Sequence, residues 1–531
     1  MAAAANPPLA QKLPLYALIA ALPFSDFLQT GIVAFNAAPV MGDIGAGPEE
    51  YSLVATLYAM VAIGVLSMHR WVVERLGWRR TLLAASALFA VGALACASSG
   101  NLLQFAAGRL VMALGCASFM TAGRVLVSRI PPSPRRFTGV KFFASGVAWG
   151  IVAGPIAASA ALATAGWRAA FAGLLLPAAL LAALAAWTLD DALPVPEATS
   201  QPHPTGLLAL MGGSFLLLHA LQRSGFDFFT DAGTLGLLAA LALPALALFV
   251  RTDRRRARPL IRFGELAQTR YLVGLAMFGL CYLVLGANNL MLPVLLQRAL
   301  GLPLETIGRY LGIGALAGVA SWIVLSRLLP HSPGPTRYYL VGFGALLLCA
   351  WQLSRLSETA NPLHSVVPAL LFNGAFVIVV LSTTAMQTFQ TLQRDDTTFS
   401  HANQVKNMLA QFGIAAGTAL ATLCMQWRSS VRFTRLSESL SPSNPAVGQT
   451  LDQLTRHFAA THGPAEAPQI AIAQLGLQAA QEATFMAALD YFFVVMLVAI
   501  ACLALVLGER ALRGAPALRR RATFSPRGGR P

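Results

Sequence analysis

Gly146-Val147-Ala148-Trp149-Gly150-Ile151-Val152-Ala153-Gly154-Pro155 lies inside an apolar stretch that runs over 139–162. Glycines four apart share one face of an α-helix, and a face without side chains lets a second helix approach backbone to backbone. Pro155 frees one carbonyl and permits a bend. Such a segment has a role only within a bundle of apolar helices, and the rest of the chain supplies one. Further apolar stretches run over 14–37, 51–68, 81–98, 102–125, 169–188, 205–222, 232–250, 271–293, 306–327, 338–354, 365–388, 403–424 and 485–507, fourteen in all. Each is long enough to cross a hydrocarbon core of about 30 Å as a helix. Lipid offers no partner to open backbone groups, so the spans must be helical and the fold class is all-α integral membrane.

Composition agrees: 56% of the 531 residues are hydrophobic and only 11% are charged, which excludes a water-soluble globule of this size. The net charge of +16 is unevenly spread. Lysine and arginine crowd into every second gap, at Arg70 to Arg80, Arg124 to Lys141 and Arg251 to Arg270, with Arg327, Arg337, Arg394 and Lys406 and the arginine-rich tail on the same side. The positive-inside rule makes that side cytoplasmic and puts both termini there. Arg519-Arg520-Arg521 then acts as a topology signal against anionic lipid, and nucleic acid is not a partner. Composition rich in alanine and arginine points to a bacterial inner membrane. The six cysteines show neither metal-ligand nor disulfide spacing, so no metal site is expected.

The gaps divide the chain into a tail (1–13), a six-helix bundle (14–188), a linker (189–204) that carries the polar run Leu189 to Glu197, two additional helices (205–250), a basic loop (251–270), a second six-helix bundle (271–507) and a basic tail (508–531). Repeated halves around a central site are the common plan of secondary transporters. A long outer loop is expected over 429–483. Its segment Gln469 to Gln481 reads as an amphipathic helix lying on the outer lipid interface, or as a docking surface for a periplasmic adaptor that leads to an outer-membrane channel.

At the fifth span, the GxxxGxxxGP pattern of Gly146, Gly150, Gly154 and Pro155 resembles the antiporter motif of the major facilitator superfamily, with Ala158 and Ser159 where two glycines are usual. Between spans two and three, Arg70-Trp-Val-Val-Glu74-Arg75-Leu-Gly77-Trp-Arg79-Arg80 resembles the superfamily's cytoplasmic loop motif. Arg70 replaces its first glycine and Glu74 its aspartate. A carboxylate there can cap a neighbouring helix and pair with arginine, latching one conformation. Span four, Gly108-Arg109-Leu-Val-Met112-Ala-Leu-Gly115, is similar to the superfamily's fourth-span motif. Asp26 stands where fourteen-span drug/proton antiporters carry an aspartate, and Thr30, Val33, Asn36, Ala37 and Pro39 loosely echo the run that follows it. Further likeness lies in Arg223-Ser-Gly225-Phe-Asp227-Phe228-Phe229, Arg258-Pro259-Leu260-Ile261 and Leu296-Gln297-Arg-Ala-Leu-Gly301. The resemblance implies two six-helix bundles with two extra central spans and proton-coupled efflux.

Read as residues, a charge in the middle of a span costs at least about 2.5–3.5 kcal/mol and so needs a partner. Asp26 and Arg109 are opposite charges of this kind. Asp26 is either a proton carrier or a structural partner of Arg109, since apolar surroundings favour a neutral carboxyl and a nearby cation favours a charged one. Asp490 is a lesser coupling candidate near the outer surface. Polar residues that cannot face lipid are candidate cavity groups: Gln29, Asn36, Asn288, Asn289, Gln387, Gln404, Asn407 and Gln411, with Phe143 and Trp149 among possible aromatic walls.

The expected function is secondary transport of an amphipathic or cationic small molecule against protons, with no cofactor beyond the proton gradient. A same-fold carrier for a metabolite or siderophore is the alternative. An enzyme or membrane sensor finds no catalytic constellation or output domain to support it.

Overall fold

The computed structural model describes residues 9–131, 133–190, 200–332, 334–357, 360–392, 395–440 and 445–522. Fourteen long helices follow one another: α1 Leu9–Phe35, α2 Pro48–Leu76, α3 Trp78–Ala97, α4 Leu102–Ser128, α5 Pro134–Thr164, α6 Trp167–Thr188, α7 Pro204–Asp227, α8 Ala232–Arg254, α9 Thr269–Ala299, α10 Leu304–Leu328, α11 Pro335–Ser354, α12 Pro362–Phe389, α13 Asp396–Ser439 and α14 Ala467–Ala522. Local chemistry sets the boundaries. Prolines 48, 134, 204, 335 and 362 open their helices, where a missing N–H costs nothing. Asn101, Asp231, Asn361 and Asp395 cap α4, α8, α12 and α13 with side-chain oxygens. Gly77 and Gly166, both at φ 79°, make the tight turns α2–α3 and α5–α6.

Among the described residues, thirteen helices are long and apolar enough to span a membrane, one fewer than the fourteen stretches anticipated. The exception is α11. It forms where expected, but Arg337, Tyr338 and Tyr339 at one end and Trp351 and Gln352 at the other dilute its apolarity, and it packs against α12 and α14. The linker run 191–199 and the tail beyond 522 lie outside the described residues.

The expected outer loop 429–483 is corrected more fully. α13 continues to Ser439, a further helix spans Pro445–His462, and α14 begins at Ala467, so Gln469 to Gln481 is the start of a long transmembrane helix and not a separate interfacial one. Arg428 and Arg432 break the apolar pattern without breaking the helix. Both pair with Asp490 of α14 (2.6 and 2.9 Å) and clamp the two extensions together.

In one half, α1 packs on α5 and α3 on α4; in the other, α9 packs on α13, α10 on α12, and α11 on α12 and α14. α7 and α8 pair at the periphery. Large apolar side chains such as Leu176, Trp187, Leu208, Leu243 and Leu505 face outward, as lipid contact requires. Two flanks join the halves. On one, α5 runs against α10: Trp322 Nε1 donates to Ser145 Oγ (3.1 Å), and Gly308 leaves room for Ser159 and the Pro155 carbonyl. On the other, α2 and α13 meet at the basic end, while α7 fits between them further along. There Met211 lies over Gly64, and Thr422 lies against Gly225.

Candidate functional site

The glycine face of α5 is buried against α1. A Cβ on Gly146 would lie 2.1 Å from the Ala20 carbonyl oxygen, one on Gly150 2.8 Å from the Phe24 carbonyl oxygen, and one on Gly154 2.8 Å from Gly31 Cα. The α1 partner is itself stripped to glycine at that last contact. This close seam fixes the rotation of α1, and so it sets the direction in which Asp26 and Phe27 point.

Asp26 is half-buried on α1. The ion pair with Arg109, one of the two roles open to Asp26, is not formed. Gln29, one turn further along α1, intervenes: Arg109 Nη1 donates to Gln29 Oε1 (3.2 Å), Gln29 Nε2 donates to the Tyr58 hydroxyl (3.1 Å), and the guanidinium lies 4.0 Å over the Tyr58 ring. Arg109 is thus buried and satisfied inside its own half by a neutral amide and an aromatic face. The charge that acts on Asp26 comes from the opposite half, from Lys406 on α13. Lys406 Nζ donates to the Tyr282 hydroxyl (3.3 Å) and sits over Phe278. An acid from one bundle and a base from the other are therefore near enough for their charges to interact.

Two cavities lie between the halves. The one nearer the basic end, about 90 Å³, is lined by Phe27, Met120, Arg124, Phe143, Phe278, Tyr282, Trp322, Met386, Phe389 and Lys406, among others. The second, about 150 Å³, carries no charge and is bordered by Thr30, Phe35, Ile151, Pro155, Asn288, Asn289, Leu311 and Asn373, with others. Phe27 and Ile378 border both. Phe143, Asn288 and Asn289 are thus where a cavity role requires. Asn288 is held by Asn373 (2.8 Å) and by the Tyr491 hydroxyl (2.8 Å).

The other expected cavity groups have different positions. Trp149 is 49% exposed on the outer face of α5. Asn36 bonds back to Ile32 O of its own helix. Gln387 accepts from Arg270 (2.7 Å) at the basic end. Gln404 donates to Leu66 O of α2 (2.8 Å) and Asn407 to Thr121 of α4 (2.7 Å), so both tie α13 to the first half. Gln411 is half-buried and lines neither cavity. Asp490, between two arginines at the end opposite the basic one, is a structural clamp. Polarity within a span does signal a buried side chain, but helix-to-helix bonds meet that need as well as a cavity does.

The loop-motif residues converge on the start of α13. Arg70 Nε donates to Glu74 Oε1 (2.6 Å) and its Nη1 to Asp396 Oδ2 (3.2 Å), while Ser128 Oγ of α4 also donates to Asp396 (3.1 Å). Glu74 in turn accepts from the Ser200 hydroxyl (3.1 Å). The arginine that stands in place of glycine is therefore one of the bridges between halves. Arg75 stacks on Trp71, Arg79 is half-buried, Arg80 is exposed, and Gly77 makes the turn. Asp395 caps α13. Burial pushes its carboxyl up, but hydrogen bonds from the Thr398 side chain and from the Thr398 and Thr397 amides outweigh that and hold it below the usual range.

Sequence comparison accounts for this architecture. The sequence model of the Major Facilitator Superfamily matches residues 19–418. The chain belongs to the Major Facilitator Superfamily. Relatives of this superfamily member include the putative multidrug resistance protein MdtD of Klebsiella pneumoniae, 24% identical over 407 residues (76% of this chain, 84% of the relative). MdtD of Escherichia coli K12 is 25% identical over 410 residues (76% and 84%). An uncharacterized MFS-type transporter of Bacillus subtilis, YhcA, is 21% identical over 408 residues (76% and 75%). Among solved structures, a proton-dependent oligopeptide transporter superposes with a TM-score of 0.55 at 14% identity, covering 93% of this chain and 99% of that one. An inward-facing bacterial homologue of the lysosomal transporter Spinster gives 0.53 at 15%, covering 94% and 98%. These likenesses bear on the fold.

Arg124 and Lys406 are the site residues that sequence reasoning missed. By sequence both belong with the cations of the basic side, yet both are buried and line a cavity. Lys406 lies ten residues into α13, about 15 Å along its axis, which is too deep for a surface signal.

Proposed function

We propose that the protein is a proton-coupled exporter of an amphipathic small molecule, working by alternating access in a bacterial inner membrane with both termini cytoplasmic. The observation that carries this reading is the placing of Asp26 and Lys406 on opposite halves, near enough for their charges to interact. Rocking the bundles changes the separation of the two charges, so the carboxylate's affinity for a proton depends on which end is open. Arg109 keeps its own partners on either side of such a movement, because Gln29 and Tyr58 belong to the same half. The antiporter-like glycine seam of α5 and the multidrug names carried by the MdtD relatives support export as the direction. The test is transport in proteoliposomes with an imposed pH gradient. Amphipathic substrate should accumulate only with the gradient, and Asp26→Asn should lose that dependence while still exchanging substrate at equilibrium. If Asp26→Asn transports with an unchanged pH profile, the coupling role is wrong.

A further inference from the structure

We propose that the cargo is an amphipathic organic anion, its charged head held by Arg124 and Lys406 and its apolar body extending past Phe27 into the uncharged second cavity. The proposal rests on the carrier reading of the two cavities, not on the direction of proton flow.

Arg124 and Lys406 are 8% and 6% exposed, and both line the cavity nearer the basic end. They are close enough to repel each other. Among the described residues no carboxylate reaches either within ion-pair distance, and no aspartate or glutamate lines either cavity. Of the two cations, Lys406 feels the charge of Asp26 and Arg124 does not, and the Asp26 side chain lines neither cavity. Among the described residues, the Arg124 guanidinium rests on the rings of Phe143 and Phe399, 5.9 and 5.8 Å away, and no hydrogen bond or ion pair holds it. Two desolvated cations with at most one carboxylate between them leave positive charge unneutralised, a costly arrangement unless an anion completes it. The same field opposes a cationic cargo, although the surrounding aromatic walls would otherwise suit one. Beyond Phe27 and Ile378 the second cavity offers leucine, isoleucine and valine with three asparagines, a surface for an apolar or lightly polar body. A charged end followed by an apolar end matches a carboxylate or sulfonate on an aromatic or alkyl frame.

The test uses the full-length protein in phosphatidylcholine nanodiscs, without any gradient, titrated calorimetrically with three matched probes against empty nanodiscs. The probes are 4-(2-naphthyl)butanoate, its primary amide and the corresponding butylammonium. The carboxylate should bind at least about tenfold tighter than the ammonium. Arg124→Gln and Lys406→Gln should each weaken the carboxylate about tenfold, the loss expected for one charge-assisted hydrogen bond, and leave the amide within about twofold. Arg124→Lys should keep the preference. Met386→Glu adds a carboxylate to the same cavity wall and should abolish the preference even if a glutamine variant does not fold. A wild type that binds the ammonium as tightly as the carboxylate overturns the proposal, as do variants that keep the preference intact. Anion binding without pH-driven movement would refute proton coupling but leave this assignment standing.

Discussion

Replacing Asp396 with asparagine removes the charge with which Arg70 pairs across α2 and α13, and leaves both the Arg70–Glu74 pair within α2 and the weaker bond from Arg70 to the Thr397 hydroxyl (3.4 Å) in place. Arg70→Ala would be a poorer probe, because it strips Glu74, only 10% exposed, of its arginine as well. The Arg70 side chain is 19% exposed and that of Asp396 48%, so solvent screens the pair strongly. Its share in holding the halves together at the basic end is therefore about 0.5–1 kcal/mol. If that end opens by parting α2 from α13, Asp396→Asn should raise the population open there about two- to fivefold. Dyes on cysteines at Arg80 and Thr391, both exposed and on opposite halves, would report the open fraction by single-molecule energy transfer. The wild-type–variant difference should shrink in 1 M salt, where the Debye length is about 3 Å. An unchanged open fraction, or an effect that salt does not touch, would refute a charge-based latch.

Gly146→Ala should destabilise the fold by about 1–3 kcal/mol or more, because its Cβ would meet the Ala20 carbonyl oxygen at 2.1 Å. Gly173→Ala, with nothing within 4 Å, should be near neutral, and thermal unfolding in detergent checks both. Asp490→Asn should cost about 1 kcal/mol of thermal stability through loss of the Arg428–Arg432 clamp, while the pH profile of transport stays as in wild type. Asp395→Ala should cost about 1 kcal/mol as a lost helix cap. Because the Asp395 carboxyl is held below the usual range, its contribution should be complete above about pH 4 and fade as pH falls through the lower folded value. Unfolding curves of wild type and variant should therefore converge in acid and stay apart near neutrality.

What the sequence made legible was the need for contact more than the partner. Three glycines and a proline announced a close backbone seam on the fifth span, and the seam exists, but nothing in the spacing named α1 as the helix across it. Buried charges at Asp26 and Arg109 announced partners. Of the two roles open to Asp26, pairing with Arg109 is the one the structure does not show, because Gln29, one turn along α1, satisfies Arg109 with a neutral amide. Arg124 and Lys406 were lost to topology, since a cation near the end of an apolar stretch scores alike whether it points to water or into a cavity. The extensions of α13 and α14 were lost because hydropathy detects a membrane and not a helix: Arg428 and Arg432 ended the apolar window while the backbone went on turning.

The account turns on two bundles that rock about the cavities between them, so that one end closes as the other opens. Spin labels at Arg80 and Thr391 measure the basic end, and labels at Thr164 and Glu305, exposed at the ends of α5 and α10, measure the other. Recorded on the protein in nanodiscs as pH is stepped through neutrality, the two distances should change in opposite directions, and Asp26→Asn should freeze that response. Distances that stay fixed, or that widen together at both ends, would contradict it.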